Sequence, residues 1–134
     1  MTLKDFRGDA VSGATAEALA HFEKALADFH CYYGNPFEPL DAAIAAAPGF
    51  AMAHIMRAHL FLSGMEAAGI APARDAIAAA EPHVRTDREK LHIAAATALI
   101  EGRFDDAAER FEDILLGYPR DVLALQMGHL FDFY

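Results

Sequence analysis

Tryptophan is absent, and the only thiol in the chain is Cys31. A lone cysteine cannot close an internal disulfide, which agrees with a reducing cytoplasm. β-Branched residues are scarce: three valines, seven isoleucines and four threonines stand against 30 alanines. Alanine is the best helix former and β-branched side chains favour strands, so this balance predicts an all-α protein. No run of about 18 apolar residues occurs, so no membrane span is expected. The stretch Met1-Thr2-Leu3-Lys4-Asp5-Phe6-Arg7 lacks a signal peptide's apolar core; export by that route is not expected, and a cytoplasmic location is. Positive charge is short as well. Eleven lysines and arginines against 20 aspartates and glutamates leave a net charge of −9, the wrong sign for nucleic acid. There is no glycine-rich phosphate loop, nucleophile elbow or spaced cysteine pair. What is plentiful is apolar: 54% of the 134 residues are hydrophobic, enough for one domain with a substantial core.

Prolines and glycines cut this material into short helical pieces. Residues 1–11 are mixed and predict an irregular arm. Ser12-Gly13-Ala14-Thr15 can cap a helix from Ala16 to about Tyr32, in which Leu19, Phe22, Leu26 and Phe29 recur at helical spacing. Gly34 stops it. Asn35-Pro36-Phe37-Glu38 opens a second helix ending at Pro48-Gly49. A third spans about Phe50 to Ser63, followed by a loop from Met65 to Ile70. The fourth starts at Pro72 and ends near Pro82. Thr86-Asp87-Arg88-Glu89 reads as a capping box for a fifth helix that stops at Gly102. Phe104 to Leu116 makes the sixth, and a seventh runs from near Arg120 to Tyr134. Short connections suit helical hairpins.

Pro48 and Pro82 lie 34 residues apart, and Pro82 and Pro119 lie 37 apart. A period of about 34 with two helices per unit is that of the tetratricopeptide repeat. The unit 88–121 fits best, with Leu91, Ala95 and Ala98, the turn Gly102-Arg103-Phe104, then Ala107, Phe111, Ile114 and Pro119. Small residues let the helices of a hairpin approach, the aromatic fills the gap between neighbours, and proline closes the unit. The expected organisation is an arm, 1–11, and a repeat domain, 12–134, divided as 12–48, 51–82, 88–121 and a half repeat 122–134.

Several stretches together resemble the tetratricopeptide repeat protein 38 family. They are Arg88-Glu89-Lys90-Leu91-His92, Gly102-Arg103-Phe104 leading into Phe111-Glu112-Asp113-Ile114-Leu115, and Pro119-Arg120-Asp121-Val122-Leu123-Ala124-Leu125-Gln126 with His129 and Phe131-Asp132-Phe133-Tyr134. Ala47-Pro48-Gly49-Phe50-Ala51-Met52-Ala53-His54 also fits. Members of that family run to several hundred residues, so the resemblance implies an N-terminal part or a shortened relative. It implies hairpins stacked in a right-handed superhelix, a scaffold for protein partners, and no particular chemistry or cofactor.

In that architecture the first helix of each repeat lines a concave groove. Repeat registry sends Met52, Ile55, His59, Leu62, His92, Ala96, Leu99, Gln126, Leu130 and Phe133 there, an apolar surface suited to a peptide or helix of a partner protein. The lysines and asparagine of a carboxylate clamp are missing at those sites. The seventh helix carries Leu123, Leu125, Met127, Leu130, Phe131, Phe133 and Tyr134 and lacks a polar terminal face, which predicts a homodimer through the C-terminal helix. Seven histidines raise a competing reading, a helical enzyme or small-molecule binder with His59, His92 and His129 around one pocket. No metal site is expected, because His54 and His59 are five apart and diverge around a helix. Cys31 is expected to be buried and structural, and Asp105, Asp106, Glu109, Glu112 and Asp113 to form a solvated outer face.

Overall fold

Seven α-helices carry most of the described chain: α1 (Ala16–His30), α2 (Phe37–Ala46), α3 (Ala51–Ser63), α4 (Ile70–Ala80), α5 (Asp87–Ile100), α6 (Phe104–Gly117) and α7 (Val122–Phe131). The protein is all-α, as its alanine content requires. The structure is a computed structural model and describes residues 3–31 and 34–131. The helix starts follow local chemistry. Thr15 accepts from the Ala18 N–H at the head of α1, and Asn35 Oδ1 accepts from Phe37 N–H ahead of α2. Thr86 and Glu89 form the full reciprocal capping box on α5. The fourth helix begins earlier than its proline suggests: a 3₁₀ turn over Ala67–Gly69 runs straight into Ile70. That turn crosses the Phe61 backbone so closely that a Cβ on Gly69 would lie 2.4 Å from the Phe61 carbonyl oxygen.

Successive helices pack as hairpins, α1 on α2, α3 on α4 and α5 on α6, with α7 laid against α6. Neighbouring hairpins meet through α3 and α5, and α4 also reaches α5. Large apolar side chains, Phe50, Met52, Ile55, Met56, Phe111, Ile114 and Met127, are buried in one continuous core. Phe22 of α1 meets Phe50 at 5.1 Å between ring centroids. Outside the core, the Arg57 guanidinium lies 5.7 Å from the Phe37 ring and 5.3 Å from the Phe61 ring, and pairs with Asp41, tying α2 to α3.

Two features close the array on itself. First, α7 returns to α1: Gln126 donates through Nε2 to the Phe29 carbonyl at 3.1 Å, and its Oε1 lies 3.1 Å from His30 Nδ1. Second, the N-terminal segment is ordered where an irregular arm was expected. Strands β1 (Leu3–Lys4) and β2 (Ala10–Val11) pair antiparallel, Leu3 against Val11. Asp5 shapes their turn, its Oδ1 accepting from Arg7 N–H and Asp9 N–H. Val11 is 1% exposed, and the Ser12 carbonyl accepts from Ala51 N–H at the head of α3. Gly13 makes this seat possible. Its φ is +76°, and a Cβ there would lie 1.9 Å from the Gly49 carbonyl oxygen.

Candidate functional site

The closure changes what the expected groove is. Met52, Ile55, His59, Leu62, His92, Ala96, Leu99 and Gln126 are all buried, and Leu130 is half-buried. They keep little open surface, and α7 packs against both α1 and α3. The expectation of an open concave groove along all of them therefore gives way to a filled interior. Phe133 lies outside the described residues, as does Tyr134, and nothing is described of the Phe131 side chain. On α7, Leu123 and Met127 are in the core, whereas Leu125 is 52% exposed.

The histidine expectation divides. His59 on α3 and His92 on α5 meet, Nε2 to Nδ1, at 3.0 Å, and neither ring exposes any surface. His129 is exposed and lines a different hollow with Leu115 and Leu125. The three imidazoles therefore do not surround one pocket, and a substrate has no access to the paired two. His92 Nε2 stands 2.8 Å from Asp121 Oδ2 at the head of α7. A carboxylate only accepts, so His92 donates from Nε2, its Nδ1 becomes an acceptor, and His59 donates from Nε2. His59 Nδ1 is left as a buried acceptor with no hydrogen-bond partner. Burial, then the adjacent His92, hold His59 well below the usual imidazole range, against a weaker opposite pull from Asp121.

The chain of polar contacts continues outward from Asp121. Arg88 donates through Nη1 to Asp121 Oδ2 at 2.8 Å and reaches Asp5 Oδ2 with Nη2 at 3.4 Å. Arg7 lies 3.3 Å from Asp5 and clasps both oxygens of Glu23 on α1 at 2.9 Å. Burial disfavours the charged Asp121, but His92 and Arg88 outweigh it and hold this carboxyl far below the usual carboxylate range. Next to Arg88, Glu89 is fully buried and accepts from four donors. These are Ser12 N–H at 2.9 Å, Ser12 O–H at 2.7 Å, and the N–H groups of Arg85 and Thr86 at 3.0 Å. Burial pushes against its charge too, and those hydrogen bonds prevail, so its pKa is lowered.

No family model matches the chain, and no solved structure matches it.

One open hollow among the described residues is short and apolar. Leu62, Met65, Glu66, Ala67, Ile70, Leu99 and Phe104 line a hollow of about 420 Å³ where α3, α5 and the start of α6 end together. Leu62 and Leu99 are 7% and 4% exposed, while Met65 and Phe104 are 42% and 47% exposed. Met65 holds φ +55°, the described non-glycine residue in the left-handed region. For such a residue that conformation costs about 1–2 kcal/mol. Gly64, which could adopt it freely, is right-handed. Sequence reasoning placed Leu62 and Leu99 on this face but passed over Met65 and Phe104. The signal was there: an apolar residue directly after a stop glycine, and an aromatic at the first helical position. Among the described residues, no group of three histidine, cysteine or acidic side chains is arranged to hold a metal ion. Cys31 is exposed, contrary to the buried position expected, because it sits at the C-cap of α1, past the turn that packs. Asp105, Glu109 and Glu112 are exposed and Asp106 and Asp113 half-exposed, in keeping with a solvated face.

Proposed function

We propose that this chain is a protein-interaction module of the tetratricopeptide type, acting by association without a covalent step. Its docking site is the hollow between Leu62, Met65, Ile70, Leu99 and Phe104, not the full concave face. The supporting observation is that a strained, exposed Met65 and an exposed Phe104 stand over a buried leucine floor, which gathers exposed apolar surface at one spot. The occupant that suits it is an amphipathic helix with basic flanks: apolar side chains for the hollow, and lysines or arginines for Glu66 on its wall and Asp105 beside Phe104. The net charge of −9 works against two copies docking on each other, so the homodimer through α7 is not the reading adopted.

A fluorescent helical peptide of leucines and lysines serves as the probe. Phe104→Glu places a charge on an exposed position and is expected to weaken binding by at least about tenfold with the fold intact, since a central aromatic contact typically carries more than 1.4 kcal/mol. Met65→Gly is expected to weaken binding too. It leaves stability unchanged or raised by up to about 1 kcal/mol, because relief of the left-handed strain offsets glycine's added unfolded-state freedom. Unaltered anisotropy titrations for both variants would refute the site.

A further inference from the structure

The N-terminal hairpin has the construction of a strap. It is held to the helices by Val11 in the core and by a line of ionised and hydrogen-bonding groups. Asp5 meets Arg88 of α5, Phe6 N–H and Arg7 engage Glu23 of α1, the Arg7 carbonyl accepts from Arg120, and Ser12 binds Glu89. Phe6, its one large aromatic, points outward at 75% exposure. The same line runs inward through Asp121, at the head of α7, to His92 and ends at His59 Nδ1 with no partner. We propose that residues 3–12 are a removable strap over the inner helix face, and that the His59–His92 pair is an acid-sensitive latch holding the strap and α7 closed. This inference does not depend on the docking site proposed above.

The geometry sets the direction. The pair shares one hydrogen bond between its two rings, so it accommodates at most one added proton. With His92 doubly protonated, His59 must carry its own proton on Nδ1, where no acceptor exists; with both rings charged, two cations face each other at hydrogen-bond distance. The charged group that faces the pair is Asp121, at the head of α7; Arg88 of α5 pairs with it, Asp5 and Asp9 of the strap act on Arg88, and Arg7 is neutralised by Glu23 of α1. The uncharged Phe111 of α6 lies 5.5 Å from the His59 ring. Opening the strap and α7 hydrates His59, which then titrates near the ordinary value of about 6.5. The open state thus takes up protons that the closed state refuses, and is favoured as pH falls below about 6.5. Opening would release Glu23, Arg88 and Glu89 from the strap.

Hydrogen–deuterium exchange of the whole chain at about pH 7.5, 6.5 and 5.5, with times scaled for intrinsic exchange, reads this directly. One proton taken up per unit of pH below about 6.5 shifts the opening equilibrium up to about tenfold. Protection in peptides covering 3–15 and 120–131 is expected to fall about fivefold between about pH 6.5 and 5.5, with peptides of 55–80 unchanged. Strap protection that does not change with pH, or that is lost in one step together with 55–80, overturns the proposal. His59→Gln can still donate to His92 Nδ1 but does not titrate, and is expected to flatten the pH response; an undiminished response overturns the latch. Should that variant fail to fold, Asp5→Asn, on the strap itself, is expected to expose 3–15 at about pH 7.5 with the helices still protected. Strap protection equal to the parent's would contradict the role given to the ionic line.

Discussion

Arg88→Ala is expected to cost about 3–5 kcal/mol, a large share of the 5–15 kcal/mol that holds a typical domain folded. Arg88 is 3% exposed and bridges two carboxylates that are themselves buried, Asp5 at 6% and Asp121 at 2%. Removal strands both charges inside. Asp121 would keep His92 and the Ala124 N–H. Asp5 would keep the N–H groups of Arg7 and Asp9 and the Arg7 guanidinium. Arg88→Lys supplies one compact cation in place of a two-pronged fork and is expected to recover only part of the loss. Urea denaturation of the three proteins checks the order, parent above lysine above alanine. An alanine variant within about 1 kcal/mol of the parent would mean the bridge is a surface-like ion pair.

Glu89→Ala is expected to cost about 3 kcal/mol or more, although the residue makes no ion pair. Its carboxylate is the shared acceptor for four donors, three backbone N–H groups and one hydroxyl, at the joint between strap and α5. Each buried donor left without an acceptor costs about 1–3 kcal/mol. Ser12→Ala removes a single hydroxyl donor and is expected to cost only about 1 kcal/mol. The same carboxylate gives a pH signature. Its folded pKa is below the unfolded value near 4.5. Its contribution is therefore complete above that value and is lost as pH falls through the folded one. Asp121 behaves likewise from its unfolded value near 3.8 downward. His59 adds a loss starting higher, below about 6.5, because its neutral form is the one that folds. Acid unfolding curves of the parent and Glu89→Ala should converge at low pH; curves that stay parallel would contradict the assignment.

Much of the helical layout was legible because its signals are local. Thr86 and Glu89 announce α5 by chemistry that a single turn completes, and Gly34, Gly102 and Pro119 mark stops that depend on backbone conformation alone. His59 and His92, 33 residues apart on α3 and α5, do meet. His129, 37 residues after His92, is exposed on α7 and does not join them. Periodicity tells which side of a helix is covered, not what covers it. Asp5-Phe6-Arg7-Gly8-Asp9 between Leu3 and Val11 carried a hairpin's turn chemistry, yet its seat on α5 is set by Arg88 and Asp121, more than 80 and 110 residues away. The glutamate of the capping box gave no hint that Ser12 shares it. The left-handed backbone of Met65 was not legible for a different reason: a left-handed methionine after a right-handed glycine inverts the usual preference.

The docking reading is tested most directly by methyl NMR of the parent chain, with isoleucine, leucine and methionine methyls assigned and the leucine–lysine helical peptide titrated in. Saturable shifts confined to Leu62, Met65, Ile70 and Leu99, with Leu125 and the buried Ile55 and Met127 unmoved, are the predicted result. Shifts centred on Leu125, or none at the hollow at peptide concentrations up to about 1 mM, where even a weak complex of about −4 kcal/mol is half formed, would contradict it.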